Sequence, residues 1–175
     1  MADMENRTRK LPGRIHRDSL DFRLIQVRLE VLQETRHDGW FKIQKEFKRR
    51  LQTATGTEVP ILHYGLSVAA QQLHQPADAL KHARLAMQAG QSAILVRNLT
   101  RTEYDAARSV RDKKKAVEDA RLAVERFPLS TMIAENYVDL LYSQNEHQKL
   151  ISFLRSNTAI SQQNSNYHAL LARSY

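Results

Sequence analysis

The segment KKKAVEDARLAVERFP, residues 113–128, decides how the chain folds. Its three alanines, Ala116, Ala120 and Ala123, lie four and three residues apart and therefore share one face of a helix. Small side chains at that spacing let a second helix approach closely. Pro128 lacks an amide hydrogen and disfavours helix at the residue before it, so the helix is expected to end near Phe127.

The same pattern recurs along the chain with a period of 34 to 37 residues. Each copy follows another segment of helical length, so the predicted unit is a helical hairpin. A fixed period of this size is typical of repeat proteins. The equivalent positions in the other three copies are Ile43 and Phe47; Ala79, Ala83 and Ala86; and Leu150 and Leu154.

The period, the small residues at helix crossings and the proline stop resemble tetratricopeptide (TPR) repeats. The resemblance implies an all-α fold, a right-handed α-solenoid of about four TPR-like helix hairpins with a C-terminal capping helix. Terminal repeats usually need such a cap. We expect a single TPR-repeat domain over residues 1–175, with repeats at 18–53, 58–90, 92–128 and 130–157 and the cap at 166–175.

Composition narrows the possible classes of protein. The chain has 175 residues, 42% of them hydrophobic, which suits a packed core and argues against wholesale disorder. It contains no cysteine, which excludes disulfides and thiol chemistry. No apolar run approaches the roughly 20 residues that span a bilayer, and the first residues lack the apolar region of a signal peptide.

The net charge of +8 is concentrated near the start of the chain. Residues 1–50 hold 13 Lys and Arg against 8 Asp and Glu, whereas the remainder holds 14 against 11. A basic surface of this kind suits nucleic acid, anionic lipid or an acidic protein partner. Acidic residues are interspersed throughout, however, so the lysines and arginines could equally coat ordinary solvated helix faces.

No catalytic motif is present in the sequence. It lacks HExxH, the pair of histidines one helical turn apart that would hold zinc, and it lacks a Gly-rich phosphate loop and a GxSxG elbow. No two of the seven histidines lie three or four residues apart, so a metal site would have to be assembled from distant helices. We therefore expect no catalytic residue, no metal site and no cofactor in this sequence. The histidines are His16, His37, His63, His74, His82, His147 and His168.

A binding groove is the more natural function for a stack of helical hairpins. In such a stack the first helix of each hairpin lines the concave face, which can hold an extended peptide or a helix of a partner protein. Polar or aromatic residues on that side are the candidate groove residues. They are Arg28, Tyr64, Gln71, Asn98, Arg101, Asp105, Arg108 and Tyr142, with Glu135 and Asp139 on the same helix as Tyr142.

Within that set, Asn98, Arg101, Asp105 and Arg108 have the spacing of one helix face. Arginine binds carboxylates through two parallel hydrogen bonds, so an acidic peptide or a chain terminus is a plausible ligand. The alternative interpretation is an ordinary exposed face on which Asp105 pairs with Arg101 or Arg108.

Nucleic acid is the alternative partner, and the less favoured one. Phosphate binding needs only clustered positive charge. Recognition of single-stranded bases also needs interleaved aromatic side chains, and the spacing of Trp40, Phe41 and Phe47 suits a helix that buries all three. The basic clusters are Lys113, Lys114 and Lys115, and Lys45, Lys48, Arg49 and Arg50.

Four stretches carry a closer resemblance. ADMENRTRKLP at 2–12, DSLDFRLIQVRLEVLQ at 18–33, HYGLSVAAQQL at 63–73 and NYHALLARSY at 166–175 resemble the C-terminal TPR region of bacterial M48-family zinc metallopeptidases. These include enzymes of the β-barrel assembly-enhancing type. In that family an N-terminal peptidase domain carries HExxH and zinc, and the TPR region behind it recruits partners.

This resemblance implies a non-catalytic protein–protein interaction domain that docks partners or substrates for an attached periplasmic zinc metallopeptidase. The implied setting is the Gram-negative periplasm and the quality control of outer-membrane protein assembly. Implied partners are the barrel-assembly machinery and the parent peptidase domain. The peptidase domain is absent from this sequence, so no zinc ligand or catalytic residue can be assigned to it, and no membrane-spanning segment is expected.

Overall fold

In the computed structural model, residues 20–34, 37–90 and 92–157 are described, and they form eight α-helices with no strand among them. This confirms the all-α prediction, while the predicted cap at 166–175 lies outside the described residues. The helices are α1 (Leu20–Gln33), α2 (His37–Leu51), α3 (Glu58–Gln72), α4 (Pro76–Ala89), α5 (Ala93–Ala106), α6 (Val110–Arg126), α7 (Thr131–Ser143) and α8 (His147–Ser156).

Local chemistry fixes the two ends of α6. Ser109 is its N-cap, and the Ser109 hydroxyl accepts a hydrogen bond of 3.1 Å from the backbone N–H of Asp112. The helix ends at Arg126, just before Phe127 and Pro128, as the proline predicted. Because the chain must turn before this cap, α5 ends at Ala106 and does not reach Arg108, which the sequence placed on the same helix face as Arg101 and Asp105.

Consecutive helices pack against each other from α2 through to α8. A second set of contacts joins alternate helices: α1 packs on α3, α5 on α7, and α1 and α3 also touch α5. This pattern is compatible with a helical repeat. The predicted crossing alanines are all buried, and they are Ala79, Ala83, Ala86, Ala116, Ala120 and Ala123. None of the described helices is both long enough and apolar enough to cross a membrane.

Helix α3 is buried on every side, since each residue from Pro60 to Ala70 is inaccessible or nearly so. The closest approach is at Gly65. A β-carbon placed there would overlap the ring of Phe47 on α2 and would lie 2.7 Å from Cγ1 of Val27 on α1. Glycine therefore lets α1 and α2 reach the backbone of α3.

The inward face of α2 is narrower than predicted. Phe47 is 1% exposed, and Trp40, Ile43 and Leu51 are partly buried beside it. Phe41, which was predicted to point inward with them, is 47% exposed, so that prediction is wrong. The physical reason is that Phe41 lies about 100° around the helix from Trp40 and falls outside the stripe that faces α3.

Two histidines meet between α3 and α4. Nδ1 of His63 lies 3.1 Å from Nδ1 of His82, so one ring donates its N–H and the other accepts. Burial and then the neighbouring His63, Lys81 and Lys48 together lower the pKa of His82 to about 4, against the opposing effect of Asp78. Burial and then the charge of Lys81 likewise lower the pKa of His63.

Replacing Gly65→Ala should destabilise the protein. Alanine favours helix over glycine by about 1 kcal/mol, but overpacking against Phe47 and Val27 should cost roughly 1–3 kcal/mol and exceed that gain. Urea unfolding of Gly65→Ala, Phe47→Leu and the double variant measures the coupling. We expect the smaller side chain at 47 to recover part of the loss. A single variant Gly65→Ala as stable as the wild type would contradict the close approach.

Stability should fall between pH 6.5 and about pH 4 because of the histidine pair. The folded state keeps His82 neutral down to about pH 4, whereas an unfolded histidine takes up a proton near pH 6.5. The unfolded state therefore binds more protons over this range, and its free energy is lowered as the pH falls. Urea unfolding at pH 7.5 and 4.5 should show a smaller drop for His82→Asn than for the wild type. An equal drop in both proteins would assign the acid sensitivity to other groups.

Candidate functional site

The alternate helices α1, α3, α5 and α7 together line a cleft of about 340 Å³. The sequence predicted that the first helix of each hairpin lines a groove, and every residue of this cleft comes from those four helices. Six of the eight predicted groove residues lie here. They are Arg28, Tyr64, Gln71, Asn98, Arg101 and Asp105.

Three arginines face this cleft: Arg28 from α1, and Arg97 and Arg101 from α5. Arg101 is held by Asp105, with its Nε 3.2 Å from the carboxylate and both side chains more than 40% exposed. Arg28 and Arg97 have no such ion pair with any carboxylate of residues 20–34, 37–90 and 92–157. The Arg101–Asp105 pair is the alternative interpretation that the sequence left open. Arg28 instead lies beside Tyr64 and makes a hydrogen bond to it.

Arg97 also lines the cleft and was missed by the sequence analysis. Its Nε is buried and has no hydrogen-bond partner among the described residues. Burial lowers the pKa of Arg97, and the charge of Arg28 lowers it further, whereas Tyr64, Asp139 and Glu135 raise it. The signal that could have found it is the four-residue spacing from Arg97 to Arg101, which places both on one helix face.

The charges of the arginines also shift the pKa values of Tyr64 and Asp139. Tyr64 is 1% exposed, and burial raises its pKa, while Arg28 and Arg97 lower it. Desolvation raises the pKa of Asp139 at the α7 side, against the attraction of Arg101 and Arg97. The cleft therefore holds three arginines, Arg28, Arg97 and Arg101, against the two carboxylates of Asp105 and Asp139, and this excess of positive charge favours a further negative charge.

The side-chain amides of Gln71 and Asn98, which were predicted to face a ligand, form hydrogen bonds within the protein. Nε2 of Gln71 donates to Asn98 Oδ1 at 3.2 Å and to Thr102 Oγ1 at 2.7 Å. Nδ2 of Asn98 donates to Ser67 Oγ at 3.0 Å, and that hydroxyl donates to the carbonyl of Ala79 at 2.9 Å. These bonds tie α3, α4 and α5 together, so Gln71 and Asn98 form the floor of the cleft.

Two predicted groove residues lie elsewhere. Arg108 falls in the turn between α5 and α6 and lines a separate depression of about 290 Å³ with Arg84, Glu103 and Lys115. It cannot continue the stripe of Arg101 and Asp105, because α5 has already ended at Ala106. Tyr142 is 41% exposed near the end of α7, where its ring meets the ring of His147 edge-on.

The cleft continues into a second depression of about 340 Å³. The two share Gln71 and Asp105, and the second one is walled by His74, Gln75 and Pro76 at the start of α4. The two depressions follow one another between α3 and α5. An extended chain therefore has a path that begins beside Arg28 and Arg97 and ends at the α3–α4 turn.

The basic clusters that suggested nucleic acid are partly neutralised. Arg49 pairs with Glu46 at 2.7 Å, and Arg50 with Glu58 at 2.8 Å. Lys113 lies over the ring of Tyr104, 5.3 Å from its centre.

Searches for metal-binding groups and for similar proteins give no further information about the site. Residues 20–34, 37–90 and 92–157 contain no group of three or more histidine or acidic side chains that could hold a metal ion. No family model, curated protein or solved structure shows a significant match to the chain.

Asn98→Ala should destabilise the protein, whereas Arg101→Ala should not. Removing the Asn98 amide leaves Ser67 and Gln71 each short of a hydrogen-bond partner, which should cost about 1–3 kcal/mol. Arg101 makes only an exposed ion pair, so its loss should change the free energy of unfolding by less than about 1 kcal/mol. Urea unfolding of the two variants measures the loss of stability from each change. It distinguishes Asn98, in the floor of the cleft, from Arg101, which makes only an exposed ion pair. The assignment fails if Arg101→Ala is the more damaging change.

Proposed function

We propose that this chain is a non-catalytic interaction module, a right-handed TPR-like stack of helical hairpins, that captures an extended, carboxylate-bearing segment of a partner protein. The cleft between α1, α3, α5 and α7 is the proposed binding site. The observation that carries the proposal is the pair Arg28 and Arg97, two guanidiniums that face the cleft without an ion pair in the described part of the chain.

A carboxylate is the ligand that suits this pair best. Buried charges are normally compensated, and an arginine whose Nε lacks a partner is a costly arrangement in the free protein. A carboxylate can accept two parallel hydrogen bonds from one guanidinium, and such charge-assisted bonds are among the strongest in proteins. Binding an acidic side chain or a chain terminus would therefore relieve the desolvation cost of Arg97.

The shape of the cleft suits an extended segment. Its continuation past Gln71 and Asp105 offers room for residues on one side of the anchored carboxylate. Repeat proteins commonly use such concave surfaces for peptide segments.

The resemblance to M48-family TPR regions extends the proposal to a cellular role. In that role the cleft docks partners or presents substrates for a zinc metallopeptidase attached to this chain, in the periplasm, during quality control of outer-membrane protein assembly. The barrel-assembly machinery and the peptidase domain are the proposed partners. Support for this role comes only from the four sequence stretches at 2–12, 18–33, 63–73 and 166–175.

Arg97→Met should weaken binding of an acidic peptide by at least tenfold. Methionine keeps most of the apolar stem and removes the charge, so loss of affinity reports on the guanidinium. Fluorescence anisotropy with a labelled decapeptide of alternating glutamate and serine, and with its glutamine counterpart, measures the effect. The glutamate peptide should bind the wild type, with an affinity that falls as salt is added.

Arg108→Met is the matched control, because Arg108 lies outside the cleft and the substitution removes the same charge. It should leave the affinity within about twofold of the wild type, as expected for a distant charge screened by salt. If Arg97→Met and Arg108→Met weaken binding equally, the loss of affinity reflects the lower net charge of the protein, and the proposed site at Arg97 is contradicted. Equal binding of the glutamate and glutamine peptides would contradict the proposal.

A further inference from the structure

The hydrogen-bonded contact between His63 and His82 brings two nitrogens that can bind metal close together. The two side chains come from different helices, α3 and α4, and bring the same ring nitrogen, Nδ1, to a separation of 3.1 Å. The rings are nearly stacked, with centres 5.2 Å apart and planes inclined by 29°. The two Nδ1 atoms therefore lie side by side between the helices.

That separation matches two ligands of one metal ion. Zinc binds histidine nitrogen at roughly 2.0–2.1 Å, which places two such nitrogens roughly 3.0–3.4 Å apart at the bond angles usual for a four-coordinate ion. In the hydrogen-bonded pair one Nδ1 is already unprotonated. The other ring needs only to carry its proton on Nε2 instead, so metal binding to two neutral rings releases no net proton.

Burial and the neighbouring charges influence whether the two imidazole rings can bind a metal ion. Burial lowers the pKa of both imidazoles, which favours the unprotonated nitrogens that a metal ion binds. Asp78, one helical turn before His82, supplies negative charge, and Lys48 and Lys81 oppose it. His82 is partly exposed, so water can reach the site and complete the coordination. The protein offers two ligands there, consistent with the absence of any larger histidine or acidic group in the described residues.

We propose that His63 and His82 form a two-nitrogen site for a divalent transition-metal ion of borderline softness, zinc or copper, which links α3 to α4. Imidazole nitrogen is a preferred ligand of both ions. Because the folded state alone brings the two rings together, the ion stabilises it, and the stabilisation grows with the concentration of free ion. The site lies apart from the arginine cleft and does not depend on the proposed function.

Titration with zinc chloride at pH 7.5 tests this site, using calorimetry and thermal unfolding. The wild type should bind zinc and unfold at a higher temperature when zinc is present. His82→Asn and His63→Asn should each weaken binding at this site at least tenfold and remove the thermal shift. His74→Asn is the matched control, because it removes a histidine from the neighbouring α3–α4 turn, and it should behave as the wild type.

A spectroscopic measurement on the wild type keeps the test independent of whether the variants fold. In ¹⁵N–¹H spectra of the imidazole rings, saturating zinc should shift the Nδ1 resonances of His63 and His82 and leave both rings protonated at Nε2. The proposal is overturned if those two resonances do not move. It is also overturned if His82→Asn binds zinc as tightly as the wild type does.

Discussion

Helix α3 must be buried on every side, and the rest of the structure is arranged to achieve this. Its residues from Pro60 to Ala70 are enclosed by α1, α2, α4 and α5. An apolar helix can be covered in this way only if its neighbours approach closely, which Gly65 permits toward α1 and α2 and the alanines of α4 permit on the other side. The same packing holds α1, α3 and α5 side by side, and residues of these three helices, with Asp139 of α7, line the arginine cleft.

The cleft combines a rigid floor with unsatisfied charge. The bonds among Ser67, Gln71, Asn98 and Thr102 tie α5, the helix that carries Arg97 and Arg101, to α3. Buried charge without a partner lowers stability, and proteins commonly accept such a cost at binding sites. In this account the cost borne by Arg97 is the source of selectivity for a negatively charged segment over a neutral one.

The sequence predicted the buried alanines and the end of α6 near Phe127, because alanine spacing and the proline stop act locally. It also identified the face of the first helices that lines the cleft. The sequence could not show that Gln71 and Asn98 form hydrogen bonds to neighbouring helices while Nε of Arg97 has no partner. Those contacts depend on how each helix is rotated about its own axis, which the sequence pattern does not determine. Arg108 was misplaced because the Ser109 cap ends α5 early. The meeting of His63 and His82, 19 residues apart, depends on how α3 and α4 pack.

The central claim is that Arg97 carries a free, preformed binding site in the cleft. The most direct measurement is an NMR titration that follows the arginine Nε–H resonances while an acidic peptide is added. The account predicts that the Arg97 resonance shifts first and furthest, with Arg28 next, while the resonance of Arg121, paired with glutamates on α6, stays in place. A titration in which Arg121 moves and Arg97 does not would contradict it.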